Sequence, residues 1–315
     1  MQQLTLRETL HLESGDTLDG VTIGYHTFGQ LNQEKSNVIW VFHALTGNSD
    51  PMDWWPGIAG PTCAIDPENQ FIVCANMLGS CYGSLGPKDF EFPLITIRDQ
   101  VKCFQYLKSH LELSKIQMGI GGSMGGQQLL EWAVQEPNLF ETIVPISTNA
   151  VHSPWGIAFN ETQRMALRYD PENGIETARA IAMLSYRHYE TYQKTQLDED
   201  GRLTDFSASS YQNYQGLKLK KRFNSHSYYV LSKAMDSQNI GRSHTSVQAA
   251  LNHIKSKAVV IGIDTDLLFP IQEQKFLADH IPNAEFHQIS SIYGHDGFLV
   301  EKEKISRIVP EIVSK

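Results

Sequence analysis

Apolar residues along this chain fall into two kinds of run. One kind is short and continuous: residues 37–42, 71–75, 116–120, 142–146 and 258–262. Runs without polar alternation predict strands buried on both faces of a parallel sheet. The other kind repeats at helical spacing. Residues 97–113 place Val101, Phe104, Leu107 and Leu111 on one face of a helix. Residues 127–134 follow the 116–120 run, residues 273–281 follow the 258–262 run, and residues 310–313 fall in a final short helix. Near the start, residues 4–13 and 21–27 alternate, with Gly15-Asp16 and Gly29 as turns, and predict two strands. Strands alternating with helices predict an open α/β sheet with helices on both faces.

Residues 151–253 break this rhythm. They hold few continuous apolar runs, several amphipathic helical ones (160–169, 177–192, 227–235) and much Tyr, Gln, Asn and Ser. The strand pattern then resumes at Ala258. The organisation expected is a core of residues 1–150 and 254–315, with a helical insertion at 151–253 between two core strands. No internal repeat is visible.

Composition narrows the function. With 41% hydrophobic and 19% charged residues the chain is globular, and its 315 residues suit one large domain or two modest ones. The formal charge of −9 disfavours binding to nucleic acid, which depends on clustered Lys and Arg. The nearest basic run, Lys218-Leu-Lys-Lys-Arg222, reads as a solvated face. No window reaches the ~18 apolar residues of a membrane helix. The polar first residues lack a signal peptide's apolar segment. Cys63, Cys74, Cys81 and Cys103 form neither a C-x-x-C pair nor a disulfide framework. No metal-ligand motif is present, and a cytoplasmic protein without a metal is expected.

The sharpest local signal is Gly121-Gly-Ser123-Met-Gly-Gly126, closing one predicted strand and opening a helix. This is G-x-S-x-G in the context of a nucleophile elbow. The serine sits at a strained, tight turn, where side chains two residues away would collide, and the helix N-terminus favours developing negative charge. A dinucleotide fingerprint beginning at Gly119 fails at its sixth position, Met124.

A nucleophilic serine needs a base, and the base an orienting acid. Such elbows are completed in the order serine, acid, histidine. His295, in the small-residue turn Tyr293-Gly-His-Asp-Gly297, is the candidate base. Asp264 and Asp266 both follow the strand at 258–262; Asp266 is preferred because it lies further out, ahead of Leu267-Leu-Phe-Pro270. The other histidines show no such pattern, and His226, His244 and His253 read as surface or packing residues. The backbone N–H groups of Met124 and of Leu45, in the loop His43-Ala-Leu-Thr-Gly47, are the candidate oxyanion hole.

At this point the chain resembles the homoserine O-acyltransferases of the α/β-hydrolase superfamily, homoserine O-acetyltransferase in particular. The likeness runs nearly the whole length: Tyr25–Asn32, His43–Gly47, Asn76–Pro87, the elbow continuing to Leu130–Ala133, Phe159-Asn160 with Gln163-Arg164, Thr265–Pro270 and Tyr293–Asp296. The resemblance implies an α/β-hydrolase fold with a helical lid. It implies ping-pong acyl transfer from a coenzyme A thioester to the homoserine hydroxyl, with Ser123 as nucleophile, Asp266 as orienting acid and His295 as base. It further implies that Arg179 and Tyr186 on a lid helix, with Asp296, hold the amino-acid substrate, and that the protein is a homodimer. A seven-residue step is two helical turns, so Arg179 and Tyr186 face the same way. One departure is the linker Asp170-Pro-Glu-Asn-Gly174, where much of the family carries a longer loop.

Homoserine and serine both remain open as acceptor, because one methylene gives only about 1–3 kcal/mol of discrimination. Acetyl-CoA and succinyl-CoA both remain open as donor, because the family separates them by small differences near the acyl pocket. A plain esterase or thioesterase would use the same triad. A non-catalytic binding protein would not require all three residues.

Overall fold

The computed structural model describes residues 1–309; the helix expected at 310–313 lies outside them. The chain begins with β1 (Gln2–Thr5), β2 (Leu10–His11), β3 (Thr17–Leu18), β4 (Thr22–Phe28), β5 (Val38–Phe42), α1 (Pro51–Trp54), β6 (Phe71–Ala75), α2 (Ile97–His110), β7 (Ile116–Gly122), α3 (Met124–Gln135) and β8 (Phe140–Ile146). Next come α4 (Pro154–Tyr169), α5 (Gly174–Tyr186), α6 (Tyr189–Thr195), α7 (Ser207–Lys220), α8 (Ser225–Asp236) and α9 (Val247–His253). It closes with β9 (Lys257–Ile263), α10 (Ile271–His280), β10 (Ala284–Ile289), α11 (Gly297–Val300) and α12 (Lys302–Ile308).

Eight strands form one sheet in the order β1-β4-β6-β5-β7-β8-β9-β10. The six from β6 to β10 are parallel, and at one edge β4 runs antiparallel to both of its neighbours, β6 and β1. Successive side chains of a strand point to opposite faces. In β5, Val38, Trp40 and Phe42 therefore join one core cluster, and Ile39 and Val41 the other. All five are buried because helices cover both faces, which is why the run shows no alternation. On the first face Trp40 meets Trp132 of α3 edge-on, with ring centroids 4.9 Å apart. This aromatic cluster fixes α3 on the sheet.

Several predicted elements change on folding. Residues 4–13 are not one strand. The chain leaves the large sheet after Thr5, and Leu10–His11 pairs instead with β3 in a separate two-stranded ribbon. The alternation persists across the break because Leu6, Leu10 and Leu12 are all buried. Residues 177–192 are two helices, not one. Arg187 is extended (φ −112°, ψ 142°), and the His188 side chain caps the start of α6. Gly294 packs against this break so closely that a β-carbon there would lie 2.9 Å from the His188 nitrogen. Strand β10 and helix α7 carry too weak an apolar pattern to be foreseen.

Candidate active site

The β5–β7 boundary is where the chain switches from building one side of the sheet to building the other, the usual place for a site in open α/β sheets. Ser123 stands there, between β7 and α3, with φ 57° and ψ −128°. That backbone is strained for a residue with a side chain. It is tolerated because the flanking glycines let three elements converge. A β-carbon on Gly121 would lie 2.7 Å from the Gly125 carbonyl carbon, and one on Gly125 only 2.3 Å from the Phe42 carbonyl oxygen.

His295 and Asp266 come together as a direct pair, with Nδ1 2.7 Å from Oδ2. Asp266 Oδ1 accepts from the backbone N–H groups of Leu268 (2.9 Å) and Phe269 (2.8 Å). Three donors therefore hold one carboxylate. Asp264 does different work: its Oδ1 accepts from the Ser291 N–H at 3.0 Å. Thr265 Oγ1 also accepts from the Gly294 N–H at 3.1 Å, so the two loops are stapled beside the pair. The His295 ring is packed by Phe269, Phe298 and Tyr186, with centroids 5.1, 5.3 and 5.6 Å away. It hydrogen-bonds Asp266 and no other side chain among the described residues. With Nδ1 occupied, Nε2 is left for the cavity.

That cavity is about 410 Å³ and its walls include Ser123, His295, Leu45, Arg179, Tyr186 and Asp296. Each predicted side chain reaches it except Asp266, which lies behind His295. Met124 opens α3, and the first N–H groups of a helix have no intrahelical partner. Leu45 lies in a turn closed by Gly47 N–H to the Ala44 carbonyl at 2.8 Å. His43, which the sequence did not single out for a role, braces that turn. Its Nδ1 is 2.9 Å from the Ala44 carbonyl and its Nε2 accepts from the Met77 N–H at 3.3 Å. One nitrogen donates and the other accepts, so the ring is neutral. Burial lowers its pKa to about 4, which keeps it so.

Arg179 and Tyr186 share the inner face of α5, with the guanidinium carbon 5.2 Å from the ring centroid. Burial raises the Tyr186 phenol above its ordinary pKa, so it acts as a neutral hydrogen-bonding group. Asp296 carries a partner that sequence reasoning missed: Arg187 Nε, 2.9 Å from Oδ2. Arg187 sits in the break between α5 and α6, where helical spacing gave no reason to look. The basic run also needs correction. Lys218 and Arg222 are exposed as expected, yet both line the cavity rather than a featureless solvated face.

A second polar network ties α3 to the loop after β8 and, through it, to α10. Gln127 Nε2 is 2.9 Å from Asn149 Oδ1 and 3.2 Å from His152 Nδ1. Asn149 Nδ2 donates to Glu273 at 3.0 Å. Burial, then the nearby Asp266, raises the Glu273 pKa to about 7, although the bond from Asn149 opposes this.

Residues 37–302 match a family described as alpha/beta hydrolase fold. A homoserine O-acetyltransferase of Cyclobacterium marinum is 48% identical, covering 96% of this chain and 92% of that protein. One from Chlorobaculum tepidum is 41% identical over 98% of this chain and 94% of its own length. Among solved structures, a homoserine O-acetyltransferase from Bacillus anthracis superposes with a TM-score of 0.90 at 22% identity, covering 100% of this chain and 97% of that one. An acetylester hydrolase from Corynebacterium glutamicum superposes with a TM-score of 0.89, also at 22% identity, over 100% and 96% of the two chains. At those identities the structures speak for the fold alone, which transferases and hydrolases share. The sequence relatives go further, and the chain belongs to the homoserine O-acetyltransferase family within the α/β-hydrolase fold.

Proposed function

We propose that this protein transfers an acetyl group from acetyl-CoA to the hydroxyl of homoserine through an acyl-serine intermediate. The observation that carries the reading is one cavity walled both by Ser123 and His295 and by Arg179, Tyr186 and Asp296. A hydrolase needs the first pair only. An amino-acid acceptor also needs groups for its carboxylate and its ammonium, and the guanidinium of Arg179 suits a carboxylate through paired N–H donors.

The geometry supports the following steps. Ser123 Oγ attacks the thioester carbonyl carbon as its proton passes to His295 Nε2. The oxyanion is held by the N–H groups of Met124 and Leu45. The carbon–sulfur bond breaks, and the thiolate leaves as thiol with that proton. Homoserine then enters with its carboxylate on Arg179 and Tyr186 and its ammonium on Asp296. Its hydroxyl gives a proton to His295 and attacks the acyl carbon, and Ser123 is released when His295 returns the proton. Asp266 orients the imidazole and stabilises its charged form.

Residues 151–253 act as a lid on the core formed by 1–150 and 254–315. Such a lid keeps water from the acyl-enzyme while the amino acid enters. Exposed apolar side chains on and beside its helices, among them Leu184, Leu197, Leu203 and Leu217, favour a homodimer paired there. Among the described residues no helix is long and apolar enough to cross a membrane. A cytoplasmic location is the reading that fits a coenzyme A donor. Intact-mass analysis after mixing with acetyl-CoA tests the mechanism. One added acetyl group, absent in Ser123→Ala and discharged by homoserine faster than by water, is the expected result. An adduct that water discharges equally fast would make the protein a thioesterase.

A further inference from the structure

Two cations at the cavity rim have no part in the chemistry described so far. Lys218 lies in the last turn of α7, and Arg222 follows one turn later. Both line the cavity that Ser123 faces. Lys220, between them, is paired with Glu176 at 2.8 Å, whereas neither Lys218 nor Arg222 has a carboxylate partner among the described residues. Of the cavity's own carboxylates, Asp53 and Asp296, neither forms an ion pair with them among the described residues, and Asp296 is paired with Arg187. Arg222 is also held in place. Its Nη1 donates to the Thr46 carbonyl at 2.5 Å and to the Tyr82 hydroxyl at 3.2 Å, and its Nη2 to Thr46 Oγ1 at 3.3 Å. That leaves Nε–H and one Nη2–H without a partner among the described residues, on a guanidinium anchored beside the Leu45 turn.

We infer that Lys218 and Arg222 bind the phosphate groups of the acyl donor, so that the charged end of the coenzyme A thioester stays at the rim while its thioester arm reaches Ser123. The inference rests on the acyl-CoA reading above. A guanidinium offers paired N–H donors to a phosphate, and an ammonium adds a point charge. The location matters because a chain of charge −9 repels a polyanion, and local cations at a cavity mouth offset that repulsion. An uncharged ester would draw nothing from such a pair.

The test compares two donors in the rate of Ser123 acetylation: acetyl-CoA, and acetyl-N-acetylcysteamine, which keeps the thioester and lacks the phosphates. Lys218→Gln and Arg222→Gln are each expected to lower the ratio of kcat/KM for acetyl-CoA to that for the truncated donor about tenfold, as loss of a charge-assisted contact does. The parent's KM for acetyl-CoA should rise with ionic strength, and more steeply than in the double variant. Equal losses with both donors would overturn the inference and leave Arg222 as a brace for the Leu45 turn. Ratios matching the parent's in both variants would overturn it as well. A parent that reacts with simple esters but with neither thioester would instead defeat the acyl-CoA reading, and the inference with it.

Discussion

Replacing Gly125 by alanine sets two effects of opposite sign against each other. Gly125 is the second residue of α3, and alanine is the better helix former by about 1 kcal/mol. Helix propensity alone therefore predicts a more stable protein. Against it, the new β-carbon would lie 2.3 Å from the Phe42 carbonyl oxygen, 2.8 Å from its carbon and 3.0 Å from the His43 carbonyl oxygen. These are backbone atoms, so no side chain can swing away. The start of α3 must move about 1 Å from the end of β5 to restore ordinary contact. Overpacking of this kind costs about 1–3 kcal/mol, enough to cancel the propensity gain. The functional cost is larger. The displacement separates Ser123 and the Met124 N–H, on α3, from the Leu45 N–H, on the loop after β5. A misplacement near 1 Å costs about a hundredfold in rate. Stopped-flow acylation by p-nitrophenyl acetate, with a thermal melt alongside, reads both effects. Gly126→Ala is the comparison, since its β-carbon meets the Thr148 side chain, 2.6 Å away, rather than the Leu45 turn. Gly125→Ala is expected to acylate about a hundredfold more slowly, and Gly126→Ala to lose mainly stability. Acylation by Gly125→Ala within threefold of the parent would refute the reasoning.

Three further outcomes are expected. Asp266→Asn should lower kcat by about 10⁴-fold by favouring the wrong imidazole tautomer, whereas Asp264→Asn should affect the melt more than the rate; comparable rate losses in both would contradict the assignment. Arg179→Lys should raise the homoserine KM at least tenfold while the rate of Ser123 acetylation changes little, because only the second half-reaction uses that contact. The folded-state pKa of Glu273, about 7, lies above its ordinary value of 4.5. The folded state therefore holds this proton more tightly, and stability falls as pH rises from about 4.5 through 7. Glu273→Gln removes that penalty, so denaturant melts should show it gaining about 1–3 kcal/mol on the parent between pH 5 and 8, and a gap independent of pH would contradict the cause given.

What the sequence made legible follows from where each signal resides. The buried strands could be read because strands covered on both faces need apolar side chains at every position. The elbow could be read because Ser123 imposes a backbone geometry that only glycine neighbours permit. Strand β10 was hidden because it is an edge strand whose Glu285 and Gln288 are exposed, so no apolar run marks it. Helix α7 was hidden for another reason. It buries only Gly216 and Leu219, and Gly216 contributes by letting its backbone approach Glu176, which leaves no apolar stripe to see. Arg187 and the pair Lys218 and Arg222 are tertiary features. An exposed basic residue looks the same in sequence whether it meets bulk water or the rim of a cavity. The choice between Asp264 and Asp266 lay between these cases: their spacing allowed either, and the loop's return toward Ser291 decides which carboxylate meets His295.

Release of coenzyme A thiol tests the central claim most directly. Acetyl-CoA and succinyl-CoA would each be supplied with homoserine, with serine and with no acceptor, using Ser123→Ala as the blank. The predicted result is release from acetyl-CoA that depends on homoserine. Release at one rate with and without an acceptor would contradict it.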